Sequence, residues 1–68
     1  MSNEKKIDAY VDAVKALRAL HEAIRLEGPT EERHRLVKLA GVRVVERMRC
    51  LTGGQIWQAQ RILREGAP

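Results

Sequence analysis

Cysteine is almost absent from the sequence, since Cys50 is the only one among 68 residues. An intrachain disulfide is therefore excluded, and a lone thiol is typical of a protein in a reducing cytoplasm. The two histidines, His21 and His34, are too few and too far apart in sequence for a metal cage. A chain of this length buries only about 60% of the surface of its unfolded form. Self-association remains as the way to complete its core.

Long apolar runs are also missing. The charged start of the chain, with Glu4, Lys5 and Lys6, lacks the apolar stretch of a signal peptide. No uninterrupted apolar run approaches the ~20 residues that span a membrane. The sequence therefore predicts a cytoplasmic protein with no membrane partner.

The spacing of apolar residues predicts three helices in a single domain over residues 1–68, and β-alternation is absent. The helices are expected at about residues 4–27, 31–51 and 53–65. The predicted fold is all-α, a long helical hairpin followed by a short C-terminal helix.

Local stop and start signals support these boundaries. Gly28 and Pro29 end the first helix, because glycine suits a left-handed cap and proline cannot continue the hydrogen-bond ladder. Thr30 is a favourable N-cap for the second helix. Thr52 and Gln55 have the spacing of a capping box and begin the third helix.

Apolar residues recur three and four positions apart on the first two helices, which is the spacing of a helix-packing seam. The first seam contains Ile7, Tyr10, Val14, Leu17, His21 and Ile24. The second contains Val37, Gly41, Val44, Met48 and Leu51, and the same helix is apolar on further sides at Leu36, Ala40, Val42 and Val45. A two-helix hairpin cannot cover so many apolar sides. The sequence therefore predicts assembly into a homo-oligomeric helical bundle.

Positive charge is concentrated in the second half of the chain. Residues 1–27 carry five basic and five acidic side chains, whereas residues 33–64 carry eight basic side chains and one acid, Glu46. One interpretation is an anionic partner such as a nucleic acid, a nucleotide or an acidic protein face. The alternative is a solvated surface that keeps an oligomer soluble.

Residues for catalysis are not arranged as an enzyme requires. Cys50 has no histidine at helical spacing to activate it, and it is expected to be a half-buried, small apolar residue. His21 occupies a seam position, where it is expected to fix the register of packed helices; a pH switch or a ligand contact is the alternative. The sequence predicts a binding protein with no catalytic residues, metal or cofactor.

The first helix contains Tyr10 and, fifteen positions later, Arg25; a hairpin with arginines along it follows, and the closing helix contains Trp57 in an apolar frame. In these features the chain resembles the small helical phage proteins that sequester cyclic nucleotide messengers and so blunt the CBASS defence of the host. The resemblance covers most of the chain. It implies a homo-oligomer, typically a hexamer, that binds a cyclic dinucleotide between subunits in the host cytoplasm without cutting it.

The same resemblance implies roles for individual residues. Tyr10 would stack on a base, and Arg25 would meet a phosphate. Beyond the resemblance, the basic residues Arg18, Arg43 and Arg47 are predicted to add positive charge to the ligand site. The residues alone leave a second interpretation of Tyr10, as a seam residue with its hydroxyl at the edge of the core.

Two other classes of function stay open. A small inhibitor or adaptor that binds a host protein would expose an apolar patch around Trp57 and Val42. A nucleic-acid-binding regulator would use the basic second helix. That helix is also apolar on more than one face, which predicts that it is occupied by packing.

Overall fold

A computed structural model describes residues 3–66 and contains three α-helices. In chain order they are α1 (Asn3–Glu27), α2 (Glu31–Arg49) and α3 (Gly53–Glu65). The predicted all-α class with three helices is confirmed, and the described residues contain no β-strand. Residues 1–2 and 67–68 of the predicted domain lie outside the described residues.

The end of α2 lies two residues before the predicted one. The amide of Cys50 donates to the carbonyl of Arg47 at 3.2 Å, and the amide of Leu51 donates to that of Met48 at 3.0 Å. These bonds span three residues instead of four, so the last turn is tighter than an α-helix.

The caps form as the sequence predicts. Gly28 has a φ of 93°, in the left-handed region, and its amide donates to the carbonyl of Ile24 at 2.9 Å. The hydroxyl of Thr30 accepts a hydrogen bond from the amide of Arg33 at 3.1 Å. At the start of α3, Thr52 and Gln55 form a complete capping box, with bonds of 3.3 Å and 2.9 Å in the two directions.

Replacing Thr52 with alanine removes the bond of this box that the Thr52 hydroxyl accepts from the amide of Gln55. We expect Thr52→Ala to lower the free energy of unfolding by about 1 kcal/mol, because one amide of the first turn of α3 loses its acceptor. Urea unfolding followed by circular dichroism measures the difference. Thr52→Ser keeps the acceptor oxygen and should remain close to wild type, so equal losses in both variants would contradict a capping role.

The helix α1 is the element on which the other two pack. Both α2 and α3 contact α1, and they contact each other far less. The core cluster contains Ile7, Tyr10, Val11, Ala59 and Leu63, with Val14, Val44 and Leu51 packed against it. Ala59 is completely buried where α3 meets α1, and its small side chain allows the two helices to approach closely. The core therefore lies at the N-terminal half of α1.

Two arginines tie the hairpin together at its two ends. Arg47, near the end of α2, donates from Nη1 to the carbonyl of Ala9 in α1 at 2.8 Å. At the turn, Arg33 donates to the carbonyl of Gly28 at 2.8 Å and pairs with the carboxylate of Glu27. These contacts hold α1 and α2 side by side along their length.

The hairpin near the turn lacks a third helix to cover it. None of residues 31–49, all of which the structure describes, is buried. The radius of gyration is 12.9 Å, against about 11 Å for a compact domain of this length. Large apolar side chains remain exposed at Leu26, Leu36, Leu39, Val42, Val45, Met48, Trp57 and Ile62. No helix within residues 3–66 has a segment that is both long and apolar enough to cross a bilayer.

Candidate functional site: a concavity lined by an exposed tryptophan and two arginines

Tyr10 lies in the core. Only 7% of its surface is exposed, and it belongs to the cluster with Val11 and Leu63. Of the two interpretations of this residue, the structure supports the core position, since a buried ring has no free face for a base. Fifteen residues of α-helix also separate Tyr10 from Arg25 by about 22 Å, so a single chain does not bring the two together.

Arg25 is exposed and pairs with its own helix. Its Nε donates to Oε2 of Glu22 at 3.2 Å, and a second bond joins Nη2 to Oε1. The hydrogen bond to Glu22 raises the pKa of the Arg25 guanidinium above its usual value. Arg25, which the resemblance assigns to a phosphate, is therefore already paired with a carboxylate.

Arg43 and Arg47 line a small cleft between α1 and α2. The cleft has a volume of about 110 Å³ and also includes Asp12 and three alanines. Pockets for small molecules measure roughly 300–1,000 Å³, so a dinucleotide is too large for it. The Asp12 carboxylate opposes anion binding, and Arg47 already bonds to Ala9. Arg47 therefore contributes to the contact between the two helices, whereas Arg43 lines the cleft.

Arg18 is the predicted site residue that lies in a suitable concavity. This surface, called the Trp57 site below, has an open volume of about 430 Å³ and is lined by Arg18, Trp57, Gln60, Leu63 and Arg64. Trp57 is 56% exposed. The guanidinium carbon of Arg61 lies 5.9 Å from the centroid of the Trp57 ring, within range of a cation–π contact.

The two arginines of the Trp57 site have no partner within the described chain. The side chains of Arg18 and Arg64 form no hydrogen bond or ion pair with any residue from 3 to 66. Arg61, by contrast, donates from Nε to Glu65 at 3.0 Å. A guanidinium presents its donors in a planar fork that matches the oxygens of a phosphate. Arg18 and Arg64 can therefore both bind an anionic ligand by donating hydrogen bonds to it.

Trp57 also lines a second concavity of different charge. That surface, about 410 Å³ in volume, includes Glu4, Asp8 and Glu65 beside Arg61. Its three carboxylates oppose an anion, whereas the lining of the Trp57 site among residues 3–66 includes no acidic side chain. Any anionic ligand of the tryptophan is therefore directed to the Trp57 site.

Sequence reasoning predicted Arg18 and the exposed Trp57 separately and did not include Gln60 or Arg64 in a site. The signal was present, because Trp57, Gln60 and Arg64 follow one another at three- and four-residue spacing and share one face of α3. The position of Arg18 beside them depends on how α3 packs across α1.

The expectation that Cys50 is half-buried is wrong, since this residue is exposed. His21 is exposed as well, so its predicted place in a helix-packing seam is not filled within the single chain. The Cys50 thiol donates to the carbonyl of Glu46 at 3.5 Å. His21 lies in the half of the hairpin that no third helix covers, and Cys50 follows the last turn of α2. Among the described residues, no three His, Cys, Asp or Glu side chains come together as a metal-binding group.

Comparison of the chain with protein-family models, with curated proteins and with solved structures finds no match. The interpretation of the site therefore depends on its own chemistry.

Proposed function

We propose that the protein is a non-enzymatic binder that sequesters a cyclic di- or oligonucleotide messenger in the host cytoplasm, with the Trp57 site as its ligand site. One observation carries the proposal: an exposed tryptophan adjoins two arginines that have no partner in the described chain. Stacking of a base on an aromatic ring contributes about 1–3 kcal/mol. The guanidinium groups of Arg18 and Arg64 supply the matching contacts to phosphate.

The lining of the Trp57 site favours binding without cleavage. Its side chains are two guanidiniums, an indole, an amide and an aliphatic group. None of these five is a nucleophile or a general base near neutral pH. A ligand held there would be withheld from its receptor and released intact.

The proposal keeps the kind of ligand that the family resemblance implies and moves the stacking role from Tyr10 to Trp57. It also includes assembly of the protein into a homo-oligomer. The exposed apolar side chains of α2, Leu39 and Val42 among them, support that assembly. The assembly repeats the Trp57 site on each copy and so multiplies the number of messengers one particle retains.

Calorimetric titration with cyclic dinucleotides tests the proposal. We expect Trp57→Ala to weaken binding about 5- to 150-fold, which corresponds to the ~1–3 kcal/mol of one stacked base. Arg18→Ala with Arg64→Ala should weaken it further and reduce its dependence on salt, since phosphate contacts are screened by ions. Lys15→Ala is the matched control, because Lys15 is an exposed cation of α1 outside the Trp57 site.

Two results would contradict the proposal. Absence of heat with every cyclic di- and trinucleotide would remove the ligand class. Binding that Trp57→Ala leaves unchanged would remove the Trp57 site. Native mass spectrometry of the freshly purified protein adds a direct check, since a sequestering protein should retain a small anion of nucleotide mass.

A further inference from the structure

The side of α2 that faces away from α1 carries an apolar strip flanked by charges. This outer face consists of Arg35, Lys38, Leu39, Val42, Val45, Glu46 and Arg49. Leu39 and Val42 are each 54% exposed, and Val45 is exposed as well. Gly41 lies beside Val42 and has no other group within 4 Å of where a Cβ would stand, so a second backbone can approach there.

The chain exposes more surface than a typical folded monomer of its mass. Its solvent-accessible area is 5247 Å² for 7.7 kDa, whereas a monomeric protein of that mass exposes about 4,300 Å². The excess is close to the ~800 Å² that each partner buries in a standard protein interface. No residue of α2 is buried, so the outer face of this helix accounts for part of the excess.

The charges on the outer face are arranged symmetrically about Val42. Lys38 lies four residues before Val42 and Glu46 four residues after it, while Leu39 and Val45 lie three residues before and after. Lys38 and Glu46 are about 12 Å apart along one helix, so they do not pair within a chain. Neither side chain forms an ion pair with a described residue of its own copy.

This symmetry distinguishes the two possible directions of helix pairing. In a parallel pair, Lys38 would face Lys38 and Glu46 would face Glu46. In an antiparallel pair with a two-fold axis at Val42, each Lys38 lies at the level of a Glu46 of the other copy, within reach of its long side chain across the seam, and Leu39 lies at the level of Val45. Opposite charges across an interface fix direction and register, and like charges oppose the alternative. The antiparallel arrangement also brings Arg35 of one copy to the level of Arg49 of the other, and the exposed carboxylate of Glu31 lies one turn before Arg35.

We infer that two copies of the chain associate through the outer face of α2, antiparallel about a two-fold axis at Val42, with two Lys38–Glu46 ion pairs beside a Leu39–Val42–Val45 seam. The self-complementary charge pattern identifies the occupant as a second copy, since a two-fold interface presents the same surface to itself. The inference rests on the self-association in the proposed function and is independent of the ligand.

Charge reversal measured by sedimentation equilibrium at low salt tests the pairing. Lys38→Glu and Glu46→Lys each convert both attractive contacts of the dimer into repulsive ones. We expect each to raise the dissociation constant about 10- to 30-fold. An equimolar mixture of the two variants should form a heterodimer of near wild-type affinity. In that heterodimer the two substituted side chains face each other with opposite charges, and the unchanged Glu46 of one copy faces the unchanged Lys38 of the other. Lys15→Glu changes net charge as Lys38→Glu does, outside the interface, and should leave the dimer unchanged.

Val42→Asp supplies an independent variant, since it places two carboxylates together on the axis. It should give a monomer whose helix content, from circular dichroism, is unchanged. A monomeric wild type at tens of micromolar, alone or carrying a captured host protein, would overturn the inference, as would the absence of heterodimer in the mixture. An intact dimer that gives no heat with cyclic nucleotides would overturn the ligand proposal and leave the pairing standing.

Discussion

Tyr10→Ala should lose most of the stability of the protein. The ring is 7% exposed and is the largest side chain of the core cluster. Truncating a buried aromatic to alanine costs roughly 3–5 kcal/mol. A domain of this length has a total stability of only about 3–10 kcal/mol, so the variant should be largely unfolded at 37 °C. Thermal unfolding followed by circular dichroism measures the loss.

Tyr10→Phe is the matched control and also separates packing from ligand stacking. It keeps the ring and should stay within ~1 kcal/mol of wild type, with cyclic-nucleotide binding unchanged. A Tyr10→Ala protein that melts like wild type and yet fails to bind nucleotide would instead place Tyr10 in the ligand site.

Ala59→Asp should be comparably destabilising for a different reason. Ala59 has no exposed surface and is surrounded by Ile7, Tyr10, Val11 and Leu63. An aspartate there would lie in an apolar cluster, with a side chain too short to reach water. An uncompensated buried charge costs about 3–5 kcal/mol. Loss of the cooperative urea transition, or a midpoint near zero denaturant, is the expected result.

Gln58→Asp provides the comparison, because Gln58 is exposed and is the residue before Ala59 on α3. The two variants share the same new side chain and nearly the same place in the helix, so their difference isolates burial from helix propensity. Similar midpoints for the two variants would show that α3 does not pack on α1 through Ala59.

Local chemistry explains why the three helices and their ends could be predicted. Gly28, Thr30 and Thr52 satisfy helix termini with groups within four residues of themselves, so no distant contact is needed. The end of α2 was misplaced by two residues, since Leu51 follows the seam spacing but bonds to Met48 as part of a tighter turn. Apolar spacing alone does not distinguish those two kinds of turn.

The sequence predicts the part of the Trp57 site that lies on α3, but not the position of Arg18 next to it. Sequence spacing puts Trp57, Gln60 and Arg64 on one face of α3, and composition marks Arg18 as a cation of α1. Whether Arg18 and Arg64 line the same concavity depends on where α3 crosses α1. The pairing of Arg25 with Glu22 is local to α1. Tyr10 illustrates the same limit, because a seam aromatic can be packed or exposed according to the helix that covers it.

The sequence by itself determined that the chain folds as three helices, and that its second helix is apolar on more sides than a hairpin can cover, because both properties follow from residue spacing. The tertiary structure decided which half of α1 becomes a core, since the short α3 reaches only that half. It thereby buried Tyr10, left Leu39 and Val42 exposed, and placed Arg18 beside Trp57. Whether a helix face can bind a ligand or a partner therefore depends on which of its residues the packing leaves exposed.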